Sequence, residues 1–289
     1  MRYILAMLLG IALASLPVDS DASNVRAMRK QVESTLLVSG KIVIAPDGTV
    51  KEYKLDDTRA LGAPLEQFLD ANIRRWRFQP VVLDGAVVTA EAPMRIRLVA
   101  HPQDGGGMQV RIAATWFGEE DDGRPATDFP HQGRMTPPSY PREAQMLEAQ
   151  GIVYLVVSIG RDGKVQQADV ERVNLRTLGT EQQMAALRRQ FADASLRAAR
   201  DWTFLPPTTG KEAELDHWLV RVPVDFQMVG LRQPKPGEWQ SYIPDPTVRE
   251  LPSWARERLR LAGSPEALPD SGVFPLTPSR FQLLNAPGS

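Results

Sequence analysis

The sequence predicts an α+β protein made of two copies of one small unit, each a β-β-α-β antiparallel sheet packed on a helix. Three observations predict it. An Asp-Gly turn between apolar, β-branched runs occurs twice, at Asp47-Gly48 and Asp162-Gly163; an amphipathic helical stripe follows each turn; and each stripe ends on the same Trp-x-Phe-x-Pro signature. The Asp-Gly dipeptide supplies the positive φ that a tight hairpin needs. At 289 residues the chain suits about two domains of ordinary size.

In the first copy, residues 35–45 read as a strand, Pro46-Asp47-Gly48 as the turn, and Thr49-Val50 as the start of a returning strand. Leu65, Phe68, Leu69, Ile73 and Trp76 then fall at helical spacing, with Pro64 at the first helical position and Arg74 and Arg75 off the stripe. A last strand is expected over 93–100. The second copy repeats the order: a strand over 151–160, the turn at Arg161-Asp162-Gly163, a stripe of Leu187, Phe191, Ala194, Ala198 and Trp202, and a last strand over 218–228. Trp76 follows Gly48 by 28 residues, whereas Trp202 follows Gly163 by 39. The surplus falls in the polar stretch 174–183 and reads as a loop insertion or an early helix start.

Trp76 with Phe78, and Trp202 with Phe204, are expected to be core residues that wedge the helix end against the sheet, while Pro80 and Pro206 stop the helix from continuing. The first copy carries an extension after Gly105-Gly106-Gly107, where 108–117 alternates enough to be an added hairpin strand. The expected organisation is a signal peptide over 1–22, a first unit over 23–118, an acidic Pro/Gly linker over 119–136, a second unit over 137–230, and a Pro-rich tail over 231–289. Ten of the 24 prolines lie in that tail, and only 253–262 looks helical, anchored by Trp254, Leu259 and Leu261. The tail is expected to be a mobile segment or a strap over the body.

Arg2 followed by about thirteen apolar residues over 4–16 is too short to span the bilayer core and reads as a secretory signal. Cleavage fits before Ser15 or before Ser23. Net charge is −1, with 34 basic and 35 acidic residues, so no field attracts nucleic acid. Cysteine is absent, which excludes disulfides, thiol catalysis and thiolate metal sites. His101, His131 and His217 are unpaired in sequence, and Glu119, Glu120, Asp121 and Asp122 lack the alternation of a calcium loop. No phosphate-binding or nucleophile motif occurs. The chain is therefore expected not to be an enzyme, and to have no cofactor and no metal.

Pro137-Pro138-Ser139-Tyr140-Pro141-Arg142-Glu143-Ala144, the strand Gly151-Ile152-Val153, the turn Asp162-Gly163, Trp202, Phe204 and Pro206, and Val222-Pro223-Val224 with Phe226 occur in that order. Over about 137–229 the chain resembles the TonB C-terminal domain; the first copy matches it only from the hairpin onward and is degenerate. The resemblance implies a periplasmic protein that binds extended segments of outer-membrane receptors by β-strand addition, in TonB-dependent transmembrane transport. An exposed strand edge offers unpaired N–H and C=O groups to such a guest. The expected edge is 219–227. Candidate partner-binding residues are Pro137, Tyr140, Leu219, Arg221, Pro223, Asp225 and Gln227, with Pro223 removing one donor from the edge.

Departures from the family pattern are a short N-terminal run without histidine, no long proline-rich spacer, and Pro137 where a Gln-Pro-x-Tyr-Pro pattern would begin. They leave coupling to the inner-membrane ExbB/ExbD motor in doubt. Two alternatives stand beside the main reading: a scaffolding envelope protein or homodimer assembling through edge strands, and a full energy transducer, anchored in the inner membrane and facing the periplasm, if the apolar run is uncleaved. The tail bears on each, because Phe274-Pro275-Leu276 or residues 281–284 could themselves occupy the binding edge.

Overall fold

A computed structural model describes residues 32–285 apart from 57, 59–60, 84, 104–106, 119–124, 232–236, 248 and 277–278. The expected signal segment 1–22, the start of the first unit and the acids of the linker lie outside the described residues. In chain order the elements are β1 (Glu33–Ile44), β2 (Val50–Leu55), α1 (Gly62–Ile73), β3 (Val82–Leu83), β4 (Ala86–Val87), β5 (Ala90–Pro102) and β6 (Met108–Phe117). There follow β7 (His131–Gln132), α2 (Arg142–Met146), β8 (Gly151–Gly160), β9 (Val165–Leu175), α3 (Glu181–Ala199), β10 (Phe204–Leu205) and β11 (His217–Phe226). The tail adds β12 (Gln240–Tyr242), α4 (Arg256–Leu261) and β13 (Phe274–Pro275).

The fold is mixed α+β with antiparallel sheets. One sheet has the order β12-β1-β5-β6, with β2 sharing the outer edge of β1; the other has the order β13-β11-β8-β9. Each has its own core. In the first, Leu36, Val38, Ile42 and Ile44 of β1 meet Leu69 and Ile73 of α1. In the second, Val153, Leu155, Val157 and Ile159 of β8 meet Leu187 and Phe191 of α3. Each such fully buried side chain contributes roughly 1.5–3 kcal/mol relative to exposure.

The two turns dock in the same way. Gly48 and Gly163 have φ of 81° and 74°, and their carbonyls accept the backbone N–H of Phe78 at 2.8 Å and of Phe204 at 2.7 Å. Each turn aspartate accepts the N–H two residues on, from Thr49 and Lys164. Those bonds hold the Asp47 and Asp162 carboxyls below their ordinary range, chiefly through Thr49 and the Lys164 backbone respectively. Trp76, Phe78, Trp202 and Phe204 are all buried, because turn and helix end close over them.

The surplus residues of the second copy do not form a loop. They lengthen β9 to 11 residues against 6 in β2, and α3 to 19 against 12 in α1. A capping box, Thr180 with Gln183, starts α3 at residue 181, which is the early helix start. Helix α1 begins at Gly62, two residues before the expected Pro64, and has no side-chain cap. Leu261, expected as an anchor, is exposed at the end of α4, while Leu259 is buried; residues two apart on a helix point about 200° from one another, so one face cannot bury both.

The tail is woven into the body. β12 pairs with residues 33–35 of β1, and the next residue, Ile243, exchanges two backbone bonds with Leu175 of β9 at 2.9 and 3.0 Å. One short segment thus ties the two sheets together. In the second unit, residues 131–134 lie beside 203–205, with Gly133 donating to the Thr203 carbonyl at 3.1 Å. In the first unit tail residues take that place: Leu284 donates to the Arg77 carbonyl at 2.7 Å and Gln79 to that of Gln282 at 2.9 Å. Trp202 Nε1 donates to the Thr136 carbonyl at 2.8 Å, whereas the buried Trp76 Nε1 has no hydrogen-bond partner among the described residues.

Gly163→Ala is expected to be more damaging than Gly85→Ala. Both glycines have positive φ, which costs a side chain roughly 1–2 kcal/mol. A Cβ at Gly163 would also lie 2.3 Å from the Phe204 carbonyl oxygen, while one at Gly85 meets nothing within 4 Å. Thermal unfolding of the two variants should separate by several degrees, with Gly163→Ala melting lower; equal midpoints would contradict the turn-to-wedge docking.

Candidate functional site

The expected site lies on β11, whose residues alternate between two faces. Trp218, Val220, Val222, Val224 and Phe226 join the core under α3. Leu219, Arg221, Pro223 and Asp225 share the opposite face, where Val156 of β8 packs with Ala255 and Leu259 of the α4 region and with Leu276. All ten residues of β8 are buried, because α3 covers one face of the sheet and the tail covers the other.

Arg221 is only 2% exposed. Its guanidinium grips Glu171 of β9 at 2.6 and 2.8 Å and donates to the carbonyls of Ala262 and Gly263. It therefore holds the tail onto the sheet. At the far end of β11, Asp225 accepts hydrogen bonds from Arg176 and Gln227. Burial raises the Asp225 carboxyl against the opposing charge of Arg176. Tyr140 packs edge-on against Phe191 and Phe226 at 5.9 and 5.6 Å between ring centres, and its hydroxyl donates to the Ala149 carbonyl. Desolvation, with Asp225 nearby, pushes its phenol up to about 12. Pro223 is buried and Pro137 is exposed.

The candidate residues are thus spread along the strand. Gln227 and Asp225 are paired at one end, with Tyr140 near them; Leu219 lies about 20 Å from Asp225 at ~3.3 Å per residue, with Arg221 and Pro223 between. Pro137 is not part of the strand. The edge itself is partly taken. β13 pairs antiparallel with Val220 and Arg221, and Leu276 donates its N–H to the Leu219 carbonyl at 2.8 Å. With the period of two, the backbones of Leu219, Arg221, Pro223 and Asp225 all face outward. The N–H that Pro223 lacks would therefore point to the edge, not to β8. Among the described residues no strand pairs with β11 beyond Arg221 on that side.

The face opposite α3 also holds a buried polar cluster that no local motif announced. The Glu266 carboxylate accepts from Arg172 and from the Asn174 side chain, each at 3.1 Å, and from the Tyr242 hydroxyl. The Glu266 carbonyl accepts from Arg97 Nε of β5 at 2.8 Å. Beside it Asp245 accepts the Val173 N–H and lies within 4 Å of Arg188 and Arg249. One tail residue, Glu266, is thus bonded to both sheets. The legible signal was indirect. The run Ile152-Val153-Tyr154-Leu155-Val156-Val157 does not alternate, as a strand covered on both faces does not.

Among the described residues no group of three or more His, Cys, Asp or Glu is placed to hold a metal ion, and no helix is long and apolar enough to cross a membrane. Comparison with protein-family models, curated proteins and solved structures finds no match for this chain.

Glu266→Ala is expected to destabilise the chain by about 2–3 kcal/mol, since it strips Asn174, Tyr242 and Arg172 of a shared buried acceptor. Glu257→Ala, on the exposed side of α4, should change stability by less than ~0.5 kcal/mol. Urea unfolding of both variants measures the contrast, and a Glu266→Ala midpoint equal to the parent would contradict a clasp at this residue.

Proposed function

We propose that this chain is an envelope protein of the TonB C-terminal type that takes extended segments of outer-membrane receptors as an added strand on β11, in association with TonB-dependent transport. One observation carries the reading. β11 is an edge strand whose outward backbone groups beyond Arg221 are unpaired among the described residues, and its one proline sits at an outward position. Such an edge supplies main-chain affinity, while alternate side chains select the guest. The motif order from Tyr140 through Asp162-Gly163, Trp202 and Phe226 supports the same reading, as does the recurrence of β-β-α-β in β1, β2, α1 and β5.

The outer edges of β6 and β9 favour a second reading, a scaffold in which copies pair edge to edge. A light-scattering mass of one chain at working concentration would remove it.

Titration of the chain with extended segments from receptor plug domains tests the main reading. Binding should fall at least tenfold in Leu219→Pro, which deletes an outward N–H. An absence of binding, or binding that Leu219→Pro leaves untouched, would overturn it.

A further inference from the structure

The segment already seated on β11 carries information about what the edge accepts. Its hold on the strand is short: two residue pairs and the Leu276 bond to Leu219. Pro275 lies opposite Val220, at the position where the ladder calls for no donor, since Phe274 and Leu276 carry the outward-paired backbone. Phe274 and Leu276 therefore share one face of the segment. Phe274 meets the ring of Trp116 of β6 edge-on at 5.9 Å. Leu276 is buried against Val156, Ala255 and Leu259.

The bed under this segment is longer than the segment. A groove of about 330 Å³ lies on one side, bounded by Trp116, Phe274 and Leu276. A second, of about 270 Å³, runs past Trp218 and Leu219. Leu276 and Arg258 line both. Arg258, an exposed cation, stands where the two grooves meet; among the described residues it forms no ion pair, and Glu212 and Asp216 line the second groove with it.

We infer that Phe274-Pro275-Leu276 is a resident stand-in for the guest strand. The guest is an extended peptide segment, antiparallel to β11, with an aromatic residue, a branched aliphatic residue two positions on, and a carboxylate within reach of Arg258. The guest binds by displacing the resident segment. This rests on the proposed strand addition at β11 and names the class of segment selected there.

A fluorescent peptide of residues 271–280, titrated against the full chain and against the full-length Phe274→Ser, Leu276→Ser double variant, tests it. The peptide should bind the variant at least tenfold more tightly than the parent. The same peptide with both serines should not bind. Equal affinity for parent and variant, or no binding to a variant that still melts cooperatively, overturns the inference. Hydrogen exchange of the unaltered chain gives a second reading that does not depend on the variant folding. The Leu276 amide should exchange faster than the β8–β11 ladder amides, and exchange as slow as theirs overturns displacement.

Receptor plug segments separate this inference from the proposed function. If they bind neither protein while peptide 271–280 binds the variant, the stand-in holds and the receptor reading fails. If they bind parent and variant alike, the receptor reading holds and the stand-in fails.

Discussion

An antiparallel sheet with a helix on one face only must leave the other face wet or cover it, and β8 is apolar on both. The fold depends on that constraint. With Tyr154 and Val156 pointing away from α3, the second sheet needs another layer, and the chain supplies it from its own C-terminal segment. The prolines that prevent this segment from forming long elements let it turn repeatedly: along β1 and β9, over Val156 as α4, into the Glu266 cluster, and back onto β11.

Covering a sheet with irregular backbone creates polar groups that must be satisfied away from water. The charged residues between the sheets meet that need. Glu266 takes donors from Arg172, Asn174 and Tyr242, and Arg221 caps the carbonyls at Ala262 and Gly263 while paired with Glu171. Arginine suits both tasks because its planar fork donates in several directions at once. The same placement removes Arg221 from the surface, and among the described residues the outward backbone of β11 beyond Arg221 pairs with no strand.

Features set by neighbours in the sequence were legible there. The Asp-Gly turns, the Trp-x-Phe wedges and the stripe of α3 need only a few residues to specify them. Contacts between distant residues were not. Glu266 lies 92 residues from Asn174, and Arg221 lies 50 from Glu171, and nothing near either announces its partner. The tail was legible as a segment of broken elements, while its path was not, because short pieces such as β12 acquire their structure from the strands they join. The unbroken apolar run of β8 called for a covering layer without saying which part of the chain would provide it. Of the candidate partner contacts, Tyr140, Arg221 and Asp225 have partners within the fold, Ala149, Glu171 and Arg176.

The central claim is that the C-terminal segment is a structural layer of the molecule. Thermal unfolding of the chain ended at Gly230, beside the full chain, tests it most directly. Loss of the cooperative transition, or a midpoint lower by more than 10 °C by an order-of-magnitude expectation for removing several buried apolar contacts, accords with the claim. A shortened chain that stays monomeric and melts within a few degrees of its parent would contradict it.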